Sequence, residues 1–500
     1  MSDTVPGPAS KTIRTRFAPS PTGYMHIGNL RTALYEYLIA RSNGGVFILR
    51  IEDTDAGRYV EGAADVIYST LKTAGLRYDE GPDIGGPYGP YIQSERADSY
   101  MRYALELVDK GAAYRCFCPP SRLRELKDAD GFAKYDGHCR DLNRSEIRRG
   151  LDAGEPFVIR QSIPAGSTAF HDEIYGDITV DNAELEDQVL IKSDGLPTYN
   201  FANVVDDHLM DITHVVRGNE YLSSTPKYNL LYDAFGWEKP VYVHLPHILN
   251  AAGQKMSKRR GDPSFEDVLA QGFLPEAVIN YIALLGWSPE DNREFFTLAE
   301  LEAAFKLSGL SKSPSIFDEQ KLRWFNGEYL KRMEPARFLS LALPYFKQAI
   351  KCADLDFEKM AAMAQSRVEL AKDAPALFDF IDCLPEYPAE LYAHKKLKTT
   401  PEIALAALKA ALDALSGLAG WDEAAVHERL IKLALDLGLK NGQVLWPVRT
   451  ALSGKPSSPC GAAELCGLLG RAETLKRIRY GIDLLEKEFD KTGELLCRKP

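Results

Sequence analysis

Residues 13–51 constrain the fold more than any other stretch of this chain. Ile13-Arg14-Thr15-Arg16-Phe17 alternates apolar and basic residues, the pattern of a short strand. Ala18-Pro19-Ser20-Pro21-Thr22-Gly23 follows, and its two prolines exclude both helix and central strand. From Gly28 onward Leu30, Ala33, Leu34, Tyr37 and Leu38 recur at helical spacing. Asn43-Gly44-Gly45 breaks that helix, and Val46 to Ile51 reads as a buried strand. Strand, loop, helix and strand in close succession form a βαβ unit, which predicts a parallel sheet with a right-handed crossover. Within it, His26-Ile27-Gly28-Asn29 falls at a helix start, where free N–H groups and the positive end of the helix dipole suit a phosphate. Gly28 permits close backbone approach, and His26 and Asn29 can donate hydrogen bonds to phosphoryl oxygens.

A second segment, Gln254-Lys255-Met256-Ser257-Lys258-Arg259-Arg260-Gly261, follows Ala251-Ala252-Gly253. Its clustered cations can close over a triphosphate and stabilise charge on a departing pyrophosphate. Taken singly, each segment has a plainer reading. The first could belong to a dinucleotide fold with Glu52 near a ribose, but no G-x-G-x-x-G fingerprint accompanies it. The second could be a solvated basic loop.

A chain of 500 residues is too long for one core and predicts three to five domains. The net charge of −11 excludes a generally basic nucleic-acid binder while leaving room for local basic grooves. The N-terminal residues lack the apolar region of a secretory signal, and no apolar run is long enough to cross a bilayer. Eight cysteines give no disulfide framework and point to a reducing, cytoplasmic setting. After the glycine- and proline-rich stretch 81–90, residues 96–195 mix helices with short strands and read as an insertion into the sheet. Apolar strands return at 213–216 and 241–244, and beyond about residue 265 the pattern is helical almost throughout.

Taken together, the two segments resemble the HIGH and KMSKS signatures of class I aminoacyl-tRNA synthetases. Arg16 to Gly23, Arg50-Ile51-Glu52-Asp53-Thr54-Asp55, Tyr199 to His208 and Arg217-Gly218-Asn219-Glu220 are similar to the glutamyl-tRNA synthetase family of bacterial type. The resemblance implies an α/β fold: a Rossmann-type parallel sheet split by an α+β insertion, then a connecting domain and an all-α anticodon-binding region. The implied domains are 1–95 and 196–253 for the two halves of the catalytic sheet and 96–195 for an acceptor-stem-binding insertion. Residues 254–335 would form the KMSKR loop and stem-contact domain, and 336–500 an anticodon-binding region split near 385.

The implied activity joins L-glutamate to the 3′ end of tRNA(Glu), with tRNA(Gln) as a further acceptor to be tested, through glutamyl-adenylate formed from ATP with Mg²⁺. His26, Asn29, Lys255 and Lys258 would be catalytic. Arg16, Ala18, Ser20, Glu52, Tyr199, Asn203 and Arg217 would hold glutamate. His26, Gly28, Glu220, Lys255, Ser257, Lys258 and Arg259 would hold ATP. Arginine suits a planar carboxylate because its fork pairs bidentately, and Glu52 matches the substrate ammonium. Alternatives are a glutaminyl-tRNA synthetase, whose distal half is β-barrel in its family, and a paralogue that glutamylates a modified tRNA base. A monomer without membrane attachment is expected.

Cys116-Phe117-Cys118 followed by Cys139 resembles the zinc-binding CxC of some members. That pattern continues with a later CxH or CxY; this sequence departs from it, with Asp141 two positions after Cys139. Two readings remain: structural zinc held by Cys116, Cys118, Cys139 and Asp141, or three reduced thiols. For tRNA, the runs His394 to Lys398 and Lys476 to Arg479 are candidate phosphate contacts, and Trp446 and Arg449 lie in a stretch similar to the family's anticodon-binding region.

Overall fold

The computed structural model describes residues 11–497 apart from 22, 24, 55–59, 127–133, 257–260 and 353–354, with side chains described as far as residue 490. The chain divides into two compact units, Met1–Leu322 and Arg323–Pro500.

In the first unit, β1 (Arg14–Phe17) and β2 (Val46–Leu49) pair in parallel, joined by α1 (Ile27–Ser42). This is the predicted βαβ unit. Apolar residues occur almost all round α1, so it is buried on most faces rather than along one stripe. Then come α2 (Ala63–Thr73), α3 (Ala97–Asp109), β3 (Ala113–Cys116), α4 (Pro120–Glu125) and α5 (Arg144–Asp152). Asn143 starts α5 with a capping box, its side chain accepting from Ser145 and Glu146 while Glu146 accepts from the Asn143 amide.

The chain continues through β4 (Val158–Gln161), β5 (Ser167–Asp172), β6 (Gly176–Asp181), β7 (Val189–Ile191), α6 (Tyr199–Leu209), β8 (His214–Gly218), α7 (Thr225–Phe235) and β9 (Val241–Leu245). β8 and β9 pair in parallel, with Arg217 opposite His244. Thr213 donates its amide to the Arg14 carbonyl at 3.0 Å, which sets β8 beside β1. The catalytic sheet therefore runs β6-β5-β9-β8-β1-β2. Behind it α3, α6 and α7 enclose a core of Tyr100, Phe201, Val205, Tyr228 and Leu231.

Residues 96–195 do not form one insertion body. β3, β4 and β7 make a separate antiparallel sheet, but the β5–β6 hairpin joins the catalytic sheet through a parallel pairing of Asp172 with Tyr242. Strand periodicity says which face of a hairpin is buried, not which sheet it extends, so the sequence could not reveal this. After β9 come β10 (Ile248–Leu249), α8 (Phe265–Ala270) and α9 (Pro275–Ala283). No described helix is long and apolar enough to cross a membrane.

The second unit is built on helices Pro335–Ala349, Phe357–Ala364, Pro401–Ser416, Glu423–Asp436, Asn441–Ser453 and Ala462–Cys497. The last is interrupted at Gly470, whose φ of 73° is left-handed. Leu408, Ala411, Val448, Leu452 and Leu485 are among its buried residues. Arg477, a candidate phosphate contact, is instead 2% exposed. Its guanidinium donates to the carbonyls of Leu452 and Ile381 and to Glu473, tying three segments of the unit together. A basic residue one helical turn from an apolar stripe can face either way, and here its fork caps buried carbonyls. Lys395, Lys396, Lys398, Lys476 and Arg479 are exposed.

Candidate active site

The two signature segments meet at the N-terminus of α1. His26 is its N-cap, and its Nδ1 accepts from the Asn29 amide at 3.2 Å. That bond places the imidazole proton on Nε2. A Cβ on Gly28 would lie 3.0 Å from His26 Cε1, so glycine lets the ring fold over the helix start. Burial, then the nearby Lys255, lower the His26 pKa, which keeps the ring neutral at pH 7.

Lys255 reaches this point from β10. The amide of Asn250 donates to the Gln254 carbonyl, and Leu249 pairs with Lys255 across a tight turn containing left-handed Gly253. Downstream, the Phe265 amide donates to the Met25 carbonyl, and His26 pairs with Ser264. The chain thus returns to the start of α1 on both sides of the basic loop. Lys255 Nζ lies 3.0 Å from Glu220 Oε1, and His247 Nδ1 lies 3.7 Å from Glu220 Oε2. Ser257, Lys258 and Arg259 lie outside the described residues.

Two cavities adjoin here. One, of about 90 Å³, is walled by His26, Gly28, Asn29, Glu220, His247 and Lys255 among others. The second, of about 240 Å³, is walled by Arg16, Ala18, Ser20, Glu52, Tyr199 and Arg217 among others. They share Asn29, Thr32, Gly218 and Glu220. The first presents a helix N-terminus and a lysine, as a phosphate chain requires, and the second presents arginines and a buried carboxylate, as a zwitterion requires.

The two arginines are held differently. Arg16 is paired within the protein: Nε and Nη2 donate to Asp207 at 2.9 and 3.2 Å, and Nη1 to Glu36 at 3.3 Å. Arg217 is 6% exposed and has no carboxylate partner among the described residues. Its Nε donates to His244 Nε2 at 3.2 Å, its Nη2 to Thr225 Oγ1 at 3.1 Å, and it stacks over Tyr228 and Tyr221. Beneath the cavity Arg50 links Asp207 to Glu52, donating at 2.9 Å to each. Burial raises the Glu52 pKa against the pull of Arg50, so a bound ammonium would favour its charged form.

Asn203 does not line the cavity. It is buried one helical turn beyond Tyr199 on the same face of α6 and so lies deeper than the cavity wall. Sequence reasoning missed Thr32, Glu36 and Tyr221, all of which line the cavity. Glu36 carried a signal: it is the lone acid in the apolar run Leu34 to Ala40, and a charge there has to face a partner.

The cysteine cluster is real in space. The Sγ atoms of Cys116, Cys118 and Cys139 all lie within 4.8 Å of one another, with Cys118 and Cys139 at 3.5 Å. Asp141 is not part of it. The Tyr135 hydroxyl is, at 3.3 Å from Cys116 Sγ and 3.5 Å from Cys118 Sγ. The turn at 136–140 carries Cys139 back to Tyr135, whose oxygen also accepts the Cys139 amide at 3.0 Å, and leaves Asp141 beyond the cluster.

Residues 12–324 match the family model of class I tRNA synthetases (E and Q), catalytic domain, and residues 337–482 match an anticodon binding domain. The glutamate–tRNA ligase of Clostridium novyi is 58% identical over 96% of this chain and 100% of its own length. The chain belongs to the glutamate–tRNA ligase family of class I aminoacyl-tRNA synthetases. The glutamate–tRNA ligase of Clostridium kluyveri is 57% identical over 95% of the chain and 99% of its own length. Among solved structures, a glutamate tRNA ligase from Elizabethkingia meningosepticum in complex with its amino acid matches with a TM-score of 0.83 and 37% identity, covering 95% of this chain and 100% of that one. The predicted fold class, a parallel α/β sheet followed by a helical region, agrees with these matches and with the observed topology.

Proposed function

We infer that this chain is a glutamate–tRNA ligase that makes glutamyl-adenylate in the paired cavities and transfers glutamate to tRNA(Glu). The observation that carries this reading is a buried Arg217 without a carboxylate partner among the described residues, in the wall of a cavity that also exposes Glu52 and adjoins the His26 helix start. A buried guanidinium without a counter-ion is costly, and a substrate carboxylate would supply one. A neutral glutamine side chain would not, which disfavours the glutaminyl alternative. The helical second unit points the same way, and its presence disfavours a paralogue lacking anticodon domains.

In the first step a glutamate α-carboxylate oxygen bonds to the α-phosphorus of ATP as the bond to the β-phosphate oxygen breaks, releasing pyrophosphate. Mg²⁺ supplies charge neutralisation on the phosphates. Glu52 binds the ammonium, Arg217 takes the side-chain carboxylate, and Asn29 and Glu220 stand where the two substrates meet. Neutral His26, through its Nε2–H, and Lys255 stabilise charge developing on the phosphates. A ribose hydroxyl of the terminal tRNA adenosine then attacks the acyl carbon and AMP departs. No side chain is needed as a nucleophile, so catalysis rests on positioning and electrostatics.

The finer assignments form part of the same proposal. Residues 96–195 would contact the acceptor stem, with the β5–β6 hairpin belonging to the catalytic sheet. Residues 254–335 would contact the tRNA stem and 336–500 the anticodon, with a subdivision near 385. The enzyme would be a cytoplasmic monomer, and tRNA(Gln) a second acceptor to be tested. Zinc fits the cysteine cluster: tetrahedral zinc–thiolate bonds would separate sulfurs by about 3.8 Å, near the 3.5 Å between Cys118 and Cys139 and within the 4.8 Å that bounds all three, and Tyr135 offers an oxygen as fourth ligand.

Pyrophosphate exchange with glutamate or glutamine, with and without tRNA(Glu) or tRNA(Gln), tests the reading. Exchange with glutamate, dependent on tRNA as in the family, is the expected result. Exchange with glutamine alone would overturn it.

A further inference from the structure

We propose that Asp172 and His244 are positioning residues that set Arg217 for the substrate carboxylate, an assignment that rests on the glutamate-binding reading above. The three residues form a line across adjacent strands. Asp172 closes β5 and pairs in register with Tyr242 of β9, His244 lies two residues further along β9, and Arg217 on β8 is directly opposite His244.

The chemistry of the end groups dictates that of the middle one. A guanidinium can only donate, so His244 Nε2, 3.2 Å from Arg217 Nε, must accept. The ring proton is then on Nδ1, which faces Asp172 Oδ2 at 2.7 Å and donates to it. Asp172 is held in turn: Oδ1 accepts the amides of Ile174 and Tyr175 at 3.0 and 2.9 Å, and Oδ2 also accepts the His244 amide at 3.1 Å. Both Asp172 and His244 are 0% exposed. Burial lowers the His244 pKa, with Asp172 opposing and Arg217 assisting, so the ring stays neutral as this role requires.

The consequence for Arg217 is orientational. His244 occupies its Nε, and Thr225 occupies Nη2 while itself donating to the Tyr221 carbonyl at 2.9 Å. Nη1 carries no such bond among the described residues and remains for substrate. The line supplies direction without placing a described carboxylate in contact with Arg217, which would compete with the substrate carboxylate. Arg16, clamped by Asp207 and Glu36, shows the alternative arrangement in the same cavity. This also explains why the β5–β6 hairpin pairs with the catalytic sheet: it delivers Asp172.

The test compares His244→Asn, which keeps a donor near the Nδ1 position, with His244→Gln, which keeps an acceptor near the Nε2 position. Steady-state pyrophosphate exchange with the full chain and tRNA(Glu) gives KM for glutamate and for ATP, and thermal melting checks the fold. His244→Asn should raise the glutamate KM about 10-fold to 100-fold, the range expected for a lost hydrogen bond to a charged group. The ATP KM should stay within about 2-fold, and His244→Gln should recover most of the loss. Asp172→Asn should raise the glutamate KM in the wild-type background and add little to His244→Gln, because its effect runs through the imidazole tautomer. Thr225→Val is isosteric and leaves the imidazole in place while removing the second holder, together with a hydroxyl 3.2 Å from His244 Nε2; it should also raise the glutamate KM, and it decides the matter if the His244 and Asp172 variants fail to fold. Equal loss in both His244 variants, parallel changes in the two KM values, or an unchanged glutamate KM in Thr225→Val would overturn the proposal. Failure of the wild-type chain to activate glutamate would instead overturn the functional reading.

Discussion

Asp207→Asn probes the charge network that floors the amino-acid cavity. Asp207 is 3% exposed and accepts from Arg16 Nε at 2.9 Å, Arg16 Nη2 at 3.2 Å and Arg50 Nη1 at 2.9 Å. Asparagine preserves the shape and one accepting oxygen but removes the charge between two buried guanidinium groups. Removing one partner of a buried ion pair costs about 3–5 kcal/mol, and the retained acceptor places this change near 3. In a unit spanning Met1–Leu322, with an unfolding entropy of about 2.1 cal/mol/K per residue, that corresponds to a melting point lower by about 4–5 °C. Glu36 limits the damage. Burial pushes its pKa well up, with Asp207 also raising it, so losing Asp207 lets Glu36 ionise against Arg16. Burial alone would raise the Asp207 pKa, but Arg16 and Arg50 together hold it below the ordinary aspartate value. A depressed carboxylate contributes stability above its unfolded pKa and loses it as pH falls through the folded one. The gap in melting point between wild type and variant should therefore be widest near neutrality and close in acid. Differential scanning calorimetry across pH, with the glutamate KM at pH 7.5, measures both effects. A melting point within about 2 °C of wild type, or a gap that widens in acid, would refute the network argument.

His26→Ala should lower the rate of adenylate formation by about 10²–10³ with little change in glutamate KM, since a donor aimed at developing charge is lost; single-turnover kinetics separate the two. Because burial and Lys255 keep His26 neutral, wild-type exchange should show no acid loss from this residue until the pH is below 6.5. Gly28→Ala should raise the ATP KM more than the glutamate KM, because its methyl would press on the His26 ring; equal changes would contradict that. Purified chain should carry about one zinc by elemental analysis, and Tyr135→Phe should weaken its retention against chelator far more than Asp141→Asn. A metal content near zero would dismiss the zinc site.

Local sequence was sufficient for the βαβ start, the helix start at His26 to Asn29, the returning strands read at 213–216 and 241–244, and the helical second half. Each of these rests on periodicity, proline and glycine placement or a motif, all of which act over a few residues. The same is true of most cavity-lining residues, since Ala18, Ser20 and Glu52 sit on strand ends or loops beside the helix start. Partnerships were decided only in three dimensions. Arg16 and Arg217 look alike in sequence, yet Asp207, 191 residues away, neutralises the first, while His244 and Thr225 hold the second without a charge. Asp141 has the spacing of a metal ligand, yet a turn brings Tyr135 to the thiols instead. Arg477 looks like a phosphate contact and is consumed by two carbonyls. Residue type and spacing determine what a side chain can donate or accept, but which partner lies within about 3 Å depends on how distant strands and helices are brought together.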